Sequence, residues 1–243
     1  IYTGEDTLSL HDALPIFGGY KASQFGAGYK AGSGNYLLVG ANLVQKELPD
    51  TSSPLLPVVS TLHHFVEKLN LSQSEQKLWK ASLSSYCYFA KHYALCEDVC
   101  KIVGQNNYSF YKPIQGMIFR LYPDNQPIDI LRICAAALVC MAPLQLSWQK
   151  GYTKLPLPDR WKHLFPFFKI VEEKEEKFLE RVGLGVFSRV RILSVPSLEL
   201  KQQAAHSNTY IDESPVLATG KYELLHYMRQ VAVSHDFHRY GNL

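Results

Sequence analysis

The sequence predicts an α/β protein with a small Rossmann-like parallel sheet and flanking helices. The main observation is that strand-like and helix-like segments alternate from about residue 105 to residue 243. This order favours a mostly parallel sheet that is covered by helices. Hydrophobic residues make up 47% of the chain, which is typical of a folded globular domain. No apolar run reaches the roughly 18 residues that cross a bilayer, so we expect no transmembrane segment.

The first half of the chain contains one predicted strand, a linker and two predicted helices. Residues 36–44, YLLVGANLV, have the composition of a strand. Residues 46–57 combine three prolines with two serines, which is typical of a linker between domains. Apolar residues at helical spacing predict helices over residues 58–71 and 72–95. The second helix begins with the capping box Ser72-Gln73-Ser74-Glu75.

The second half supplies the alternating elements of the predicted sheet. Strands are expected in residues 109–123 (one or two strands), 144–148 and 188–195, and residues 234–243 are expected to be extended. Helices are expected at residues 128–141, from 159 through the charged run ending at 181, at 197–206 and at 221–231. Glu173 and Lys177 lie four residues apart in the charged run, which predicts an exposed helical ion pair.

The chain lacks the glycine pattern that binds a dinucleotide. No G-x-G-x-x-G motif follows a predicted strand and opens a helix. Gly26, Gly28 and Gly32 have the wrong spacing for this motif and precede a strand. Residues 58–243 are therefore predicted to form an α/β domain without a cofactor site.

The cysteines and the charge exclude several classes of protein. Five cysteines form no disulfide framework, because their number is odd and their spacing is irregular. A reducing compartment is the simpler interpretation. Cys96 and Cys100 lie four residues apart, but without a second ligand pair we expect free thiols and no metal site. The net charge of +3 is spread along the chain, so we expect no nucleic-acid partner.

Residues 1–16 match translated sequencing adapter. Residues 7–16, TLSLHDALPI, can be spelled as ten consecutive codons of a common short-read adapter, and residues 1–6 fit its upstream flank in the same frame. We expect these residues to be non-native, and such segments are excluded from fold prediction. The native start of the protein, with any targeting segment, is then expected to be missing.

Two motifs after residue 16 resemble aldehyde dehydrogenases. Residues 17–23, FGGYKAS, resemble the F-G-G-x-K-x-S signature near the end of the aldehyde dehydrogenase catalytic domain. Residues 26–37, GAGYKAGSGNYL, resemble the G-A-G-x-K-A-G-G-P-N-Y-L run of L-glutamate-γ-semialdehyde (Δ1-pyrroline-5-carboxylate) dehydrogenases, with Ser33-Gly34 in place of Gly-Pro. These dehydrogenases include the downstream halves of bifunctional proline utilisation A proteins. The tail, including residues 215–218 and 238–242, resembles the C-terminus of extended members more loosely.

The resemblance implies a domain order. Residues 17–45 would be the truncated end of an aldehyde dehydrogenase catalytic domain, residues 46–57 the linker, and residues 58–243 a C-terminal α/β domain. The chain would thus be a C-terminal fragment of a longer dehydrogenase.

The chemistry implied by the resemblance is NAD-dependent oxidation of L-glutamate γ-semialdehyde to glutamate in proline catabolism. In this family a cysteine thiolate attacks the aldehyde, hydride passes to NAD, and a glutamate activates water. None of the five cysteines has the family's G-Q-x-C context. The nucleophile, the base and the NAD-binding domain are therefore expected upstream of residue 17, and the fragment is expected to be inactive alone. FAD is implied only if a proline dehydrogenase half also lies upstream.

One part of the substrate pocket is expected within the chain. Phe17, Gly18 and Gly19 correspond to the family motif that lines the aldehyde pocket, although a loop role for the two glycines fits equally well. The identity of Phe17 is less secure, because its codon straddles the adapter junction.

A lid is expected at the other end. The resemblance implies that residues 231–243 cover the channel between active sites, with His235, His238, Arg239 and Tyr240 as hydrogen-bonding lid residues. We expect no metal site there, because two histidines three residues apart in an extended segment point to opposite faces.

The resemblance also implies partners and a location. The partners would be the rest of the parent dehydrogenase domain and further copies in a homo-oligomer, in the cytoplasm, with membrane association through a proline dehydrogenase half if one exists. The alternative is a non-enzymatic α/β interaction module that docks through its Tyr- and Phe-rich residues 106–122. The glycine- and lysine-containing motif before the linker favours the dehydrogenase, since a free-standing module has no reason to keep it. A pyridoxal or other α/β enzyme is disfavoured, because no strand end offers a lysine with an acidic partner.

Overall fold

The structure, a computed structural model, describes residues 34–50, 52–98, 101, 103–149 and 168–236. The described chain begins with the 3₁₀ turn Gly34–Tyr36 and a short helix, α1 (Leu37–Gly40). The next described residues, up to residue 56, form neither helix nor strand. Two longer helices follow, α2 (Pro57–Val66) and α3 (Gln73–Tyr93).

The strands of the described residues form two sheets. The strands are β1 (Glu97–Asp98), β2 (Gln105–Pro113), β3 (Met117–Leu121), β4 (Leu144–Trp148), β5 (Phe168–Glu172), β6 (Arg189–Arg191), β7 (Tyr210–Asp212) and β8 (Met228–Asp236). Five of them form a parallel sheet in the order β5-β4-β3-β6-β7, and the other three form an antiparallel sheet in the order β1-β2-β8. The order of the parallel sheet is that of the first five strands of a Rossmann fold.

Helices cover both faces of the parallel sheet. The remaining helices are α4 (Pro127–Val139), α5 (Glu175–Gly183), α6 (Leu198–Ser207) and α7 (Gly220–Glu223), the last of which continues into the 3₁₀ turn Leu224–His226. In β3, Met117, Phe119 and Leu121 pack into a large core with α2, α3 and α4, whereas Ile118 packs on the other face with α5 and α6. The alternation follows from the two-residue repeat of a strand. The predicted fold class, an α/β layer with a parallel sheet, is thereby confirmed.

Several predicted elements are confirmed in place. β4 has the predicted bounds, α4 overlaps the predicted apolar helix except at Pro127, and residues 109–123 contain the end of β2 and all of β3. The capping box of α3 is formed: Ser72 Oγ accepts from the amide of Glu75 at 3.3 Å, and Glu75 Oε2 accepts from the amide of Ser72 at 2.8 Å. Local signals were sufficient here, because each element carries its own cap or its own uninterrupted apolar run.

The predicted strand at residues 36–44 is wrong, because this segment forms the turn Gly34–Tyr36 and helix α1. Leu38 is buried against Leu225, while Leu37 is half exposed, so a single helical turn suffices to bury the apolar side chain. A short apolar run cannot be assigned to helix or strand by its pattern alone.

The predicted helix that ends with the charged segment is confirmed over residues 175–181 and is wrong over residues 168–174. Residues 168–172 form strand β5, and α5 begins only at Glu175, whereas residues 150–167 lie outside the described residues. Glu173 is not half of an exposed pair with Lys177. Its side chain is 1% exposed and is bound by Arg181 at 2.7 Å, because a buried carboxylate needs a charged partner.

The predicted helix at residues 221–231 is replaced by α7, the 3₁₀ turn and β8. β8 pairs with β2 along its whole length, from Pro113↔Met228 to Gln105↔Asp236. A nine-residue partner strand outweighs the weak helical pattern of this segment, since the formation of a strand depends on its neighbours. No helix among the described residues has the length and apolar character needed to cross a membrane.

A glycine at the start of α7 sets how closely this segment can approach α3. A Cβ atom added at Gly220 would lie 2.6 Å from the backbone oxygen of Ser85, which is too close for any side chain. We expect Gly220→Ala to lower the free energy of unfolding by about 1–3 kcal/mol, the usual cost of overpacking. Gly116→Ala is the matched control, because nothing lies within 4 Å of its added Cβ. Urea denaturation checks both variants, and equal stability of the two would contradict the close approach.

Candidate functional site

The carboxyl edge of the parallel sheet is the place where Rossmann-like folds bind their ligands. Ligands lie at the switch point, where the chain leaves neighbouring strands in opposite directions, which here is between β3 and β6. The loop after β3 is closed by Asn125 Oδ1, which accepts from the amide of Tyr122 at 2.8 Å. Ser194 Oγ, after β6, donates to the carboxylate of Asp124 at 3.3 Å. The two loops are therefore bound to each other across the switch point.

The same loop is poorly suited to a phosphate. Residues 122–126 contain no glycine, so the backbone has no position where it can approach a pyrophosphate closely. Helix α4 begins with Pro127, which lacks an amide proton, and carries Asp129 in its first turn. A missing donor and a negative charge both oppose an anion at a helix N-terminus. The described residues of this edge therefore offer no pyrophosphate cradle.

A buried arginine, Arg120, occupies the carboxyl half of β3. Its guanidinium is fully buried and donates to Glu175 Oε2 at 2.8 Å and 3.2 Å and to Ser147 Oγ at 2.7 Å. It also lies over the ring of Phe178 at 4.8 Å. These contacts join β3, β4 and α5, so the positive charge of Arg120 is balanced by Glu175 inside the fold.

The groups around Arg120 continue the network. Ser147 Oγ donates to Glu173 Oε1 at 2.6 Å, and Arg181 donates to both oxygens of Glu173 at 2.7 Å and 2.8 Å. Tyr122 Oη donates to Glu175 Oε1 at 3.0 Å. Burial and the negative charge of Glu175 raise the pKa of Tyr122 to about 12, so the phenol stays protonated at neutral pH. The network can hold the edge together, but it presents no base or nucleophile to solvent.

A second buried arginine, Arg191, lies on the other face of the sheet. Arg191 in β6, Asp212 in β7 and Glu223 in α7 are all 0% exposed. Arg191 lies 2.5 Å from Asp212 Oδ2 and 3.2 Å from Glu223 Oε1, and His226 Nδ1 lies 2.6 Å from the same Asp212 oxygen. Burial alone would raise the pKa of Asp212, but Arg191, His226 and Arg189 bring it well below its ordinary value. The carboxylate is therefore charged at neutral pH.

The predicted site residues are not brought together in the described chain. Phe17, Gly18, Gly19, His238, Arg239 and Tyr240 lie outside the described residues. His235 lies in β8, is exposed, and pairs with Asn106 of β2. The lid and pocket roles of these residues stay predictions. No group of three metal-binding side chains occurs within the described ranges.

The described end of the glycine- and lysine-containing motif does have a defined contact. Asn35 is 1% exposed, and its side-chain amide donates to the carbonyl oxygens of Leu225 at 2.7 Å and Met228 at 2.9 Å. Next to it, a Cβ atom added at Gly34 would lie 2.8 Å from the hydroxyl of Tyr111 in β2. The motif thus ends against the base of the β2–β8 ribbon.

Sequence reasoning missed Asn35, because its partners are 190 and 193 residues away. A second long-range contact lies nearby, where Gln45 Oε1 accepts from the amides of Ala218 at 2.7 Å and Thr219 at 3.3 Å.

The thiols of the described residues are poor nucleophiles. Cys87, Cys134 and Cys140 are buried, and burial raises the pKa of each thiol, with Glu223 adding to the effect at Cys140. Since the thiolate is the reactive form, these residues are protonated and inert at neutral pH. Cys96 is exposed, and Cys100 lies outside the described residues.

We expect the burial of Asp212 to be visible in stability measurements. Asp212→Asn removes one of the two carboxylates that pair with Arg191 and the carboxylate that contacts His226, and it should cost about 3–5 kcal/mol at pH 7. Because the folded pKa is depressed, the contribution of Asp212 is complete above the unfolded pKa of about 3.9 and is lost as pH falls further. The gap between wild type and variant should therefore narrow below about pH 5 in urea titrations. Glu213→Gln, at an exposed neighbouring position, is the control and should stay within about 0.5 kcal/mol of wild type.

The thiols give a second prediction. In the native protein, Ellman's reagent should modify Cys96 quickly, whereas Cys87, Cys134 and Cys140 should react only after unfolding in guanidinium. Peptide mass spectrometry identifies the modified residues, and Cys96→Ser is the control. Fast modification of any of the three buried thiols at neutral pH would contradict their protonated, enclosed state.

Comparisons with known proteins reveal a likeness of fold. No protein-family model matches the chain, and no curated protein sequence matches it. Among solved structures, Proline Utilization A (PutA) from Corynebacterium freiburgense is similar with a TM-score of 0.57 and 20% identity, over 91% of this chain and 19% of that chain.

Two aldehyde dehydrogenase structures are similar at lower scores. Substrate-bound AldH from Staphylococcus aureus has a TM-score of 0.45 and 10% identity, over 63% of this chain and 38% of that chain. The NAD+ complex of aldehyde dehydrogenase from Bacillus cereus has a TM-score of 0.42 and 12% identity, over 63% and 36%. These two scores are too low to carry an argument. The chain therefore has an α/β fold like that of a part of the PutA structure, and it spans about a fifth of that protein's length.

Proposed function

We propose that this chain is the C-terminal part of an NAD-dependent dehydrogenase that oxidises L-glutamate γ-semialdehyde to glutamate in proline catabolism. The observation that carries the proposal is a coincidence of two independent features. Residues 17–37 contain the motif that resembles such dehydrogenases, and 91% of the chain follows the fold of a PutA structure. In the proposed parent, NAD binds upstream of residue 17, and FAD is present only if a proline dehydrogenase half precedes it.

The described thiols support the view that the reaction needs the rest of the parent. A dehydrogenase of this kind requires a cysteine that is deprotonated and open to substrate. Cys87, Cys134 and Cys140 are buried and have raised pKa values. Cys96 is exposed and directly precedes β1, which belongs to the antiparallel sheet. We therefore propose that residues 17–45 complete a pocket whose reactive groups lie upstream, and that residues 1–16 are not native.

The role proposed for the α/β domain is that of a lid and a structural support. β8 is the last strand of its sheet in the described part of the chain, so one edge of this strand is open to a partner. On the surface of the same ribbon, Tyr108 and Val233 face each other across the two strands and are 39% and 46% exposed. An apolar pair beside an open strand edge is suited to docking on the dehydrogenase body. Asn35 joins the end of the motif to the base of this ribbon.

The same exposed pair also fits the second candidate, a non-enzymatic α/β module that docks through residues 106–122. The two proposals differ in what precedes residue 17 in the native gene. A dehydrogenase needs an upstream reading frame that encodes an NAD-binding domain and a reactive cysteine. A start codon immediately before codon 17 would instead support the interaction module.

A direct assay tests the inactivity of the fragment. The purified chain is mixed with NAD and glutamate semialdehyde, and absorbance at the NADH maximum is followed against a blank without protein. We expect no NADH above the blank, because the described thiols cannot form the thiohemiacetal. The full-length protein encoded by the native gene is the positive control. Turnover by residues 1–243 alone would refute the proposal that the reactive groups lie upstream of residue 17. Absence of turnover by the full-length protein would refute the proposed reaction.

A further inference from the structure

A cavity between α2 and α3 is not used by the proposed function. It has a volume of about 220 Å³ and lies at the turn that joins the two helices. Its apolar floor consists of Val66 and Trp79, which are 3% and 2% exposed, together with the partly buried Leu69 and Leu71. An apolar cavity of roughly 150 Å³ can hold a benzene molecule, so this one has room for a branched alkyl chain and a small polar head group.

One wall of the cavity is held in a fixed arrangement. Trp79 Nε1 donates to His63 Nδ1 at 3.1 Å, and the two rings are nearly parallel, at 17°. In the neutral imidazole the remaining proton is then on Nε2, which lies 3.5 Å from Glu67 Oε1. His64 Nδ1 lies 3.6 Å from the other oxygen of Glu67. Glu67, whose side chain is about half exposed, therefore lies beside two imidazoles at the rim of the cavity.

A positive charge faces the same space from the other helix. Lys80 follows Trp79 in α3 and lines the cavity together with Glu67 of the turn. No acidic group among the described residues lies within ion-pairing distance of Lys80, so its ammonium is available. The cavity therefore combines an apolar floor with one negative group at its rim and one positive group that has no acidic partner among the described residues.

We propose that this cavity binds a small zwitterion, namely an α-amino acid with an apolar side chain. The side chain lies on the floor formed by Val66, Leu69 and Trp79, the carboxylate pairs with Lys80, and the ammonium pairs with Glu67. A simple carboxylate would leave an anion beside Glu67, and a simple amine would leave a cation beside Lys80. Only a ligand with both charges can pair with Glu67 and with Lys80 at the same time. A ligand with one charge places a like charge near one of these two residues, which is costly. The site is independent of the dehydrogenase chemistry proposed above.

Three probes that share one branched alkyl chain test the proposal on the whole chain. They are L-leucine, its deaminated analogue isocaproate and its decarboxylated analogue isoamylamine. The readout is the indole N–H resonance of Trp79 in two-dimensional NMR, assigned by its loss in Trp79→Phe. We expect L-leucine to shift this resonance with a dissociation constant on the order of 1 mM, and each analogue to bind about tenfold more weakly.

Charge variants at the two walls separate the contacts. Glu67→Gln should weaken L-leucine about tenfold and tighten isocaproate, because the repulsion between Glu67 and a carboxylate is removed. Lys80→Gln should weaken L-leucine about tenfold and tighten isoamylamine, because the repulsion between Lys80 and an ammonium is removed. Lys77→Gln is the matched control, one turn earlier on the exposed surface of α3 and outside this cavity, and should change nothing.

The proposal is overturned if L-leucine leaves the Trp79 resonance unmoved at concentrations about tenfold above the expected constant. The proposal is also overturned if isocaproate or isoamylamine binds as tightly as L-leucine, because one of the two charged groups of L-leucine would then contribute nothing to binding. All the charge variants alter surface groups, so a retained Trp79 resonance position confirms that the fold is intact before each titration.

Discussion

The pairing of Arg191 with two buried carboxylates is the constraint on which the C-terminal third of the structure depends. A guanidinium without exposure to water is tolerated only if its charge is compensated nearby, and Asp212 and Glu223 provide that compensation from β7 and α7. Glu223 Oε2 also accepts from the amide of Leu217 at 2.8 Å, and its Oε1 accepts from Tyr227 Oη at 3.0 Å. One ion cluster therefore fixes the end of the sheet, the short helix and the residue before β8. The course of β8 follows from that placement.

The fold uses buried charge on both faces of the parallel sheet. Arg120 and Arg191 point to opposite faces and each is neutralised by carboxylates from neighbouring elements. A fold defines a location for chemistry, and the side chains at that location decide whether chemistry occurs there. Asn35 and Gln45 join this layer to the segment that precedes α2.

The sequence predicted those features that are encoded locally. The parallel sheet, α4, β4 and the cap of α3 each follow from a run of residues that specifies its own conformation. The misassigned segments have in common that a distant partner decides their structure. Residues 34–40 form a 3₁₀ turn and a short helix where Asn35 is bound by carbonyl groups near the other end of the chain, and residues 228–236 become a strand because β2 lies beside them. For the same reason Glu173 could not be recognised as buried, since its partners Ser147 and Arg181 come from different elements. Within the candidate site, the contacts of Asn35 could not be predicted from the sequence, because only the folded chain brings Asn35 to its acceptors.

The two hydrogen bonds of the Asn35 side chain have a consequence for the long-term integrity of the protein. The side-chain NH₂ group of Asn35 donates to two backbone carbonyl oxygens. A hydrogen-bond acceptor in the position of this NH₂ group would face the same two carbonyl oxygens and would be repelled by them. Spontaneous hydrolysis of this amide would replace those two hydrogens with an anionic oxygen that faces the same carbonyls, and the replacement would be repelled. Chemical ageing at a single side chain would thereby release the glycine-containing segment from the ribbon without any change in the encoded sequence.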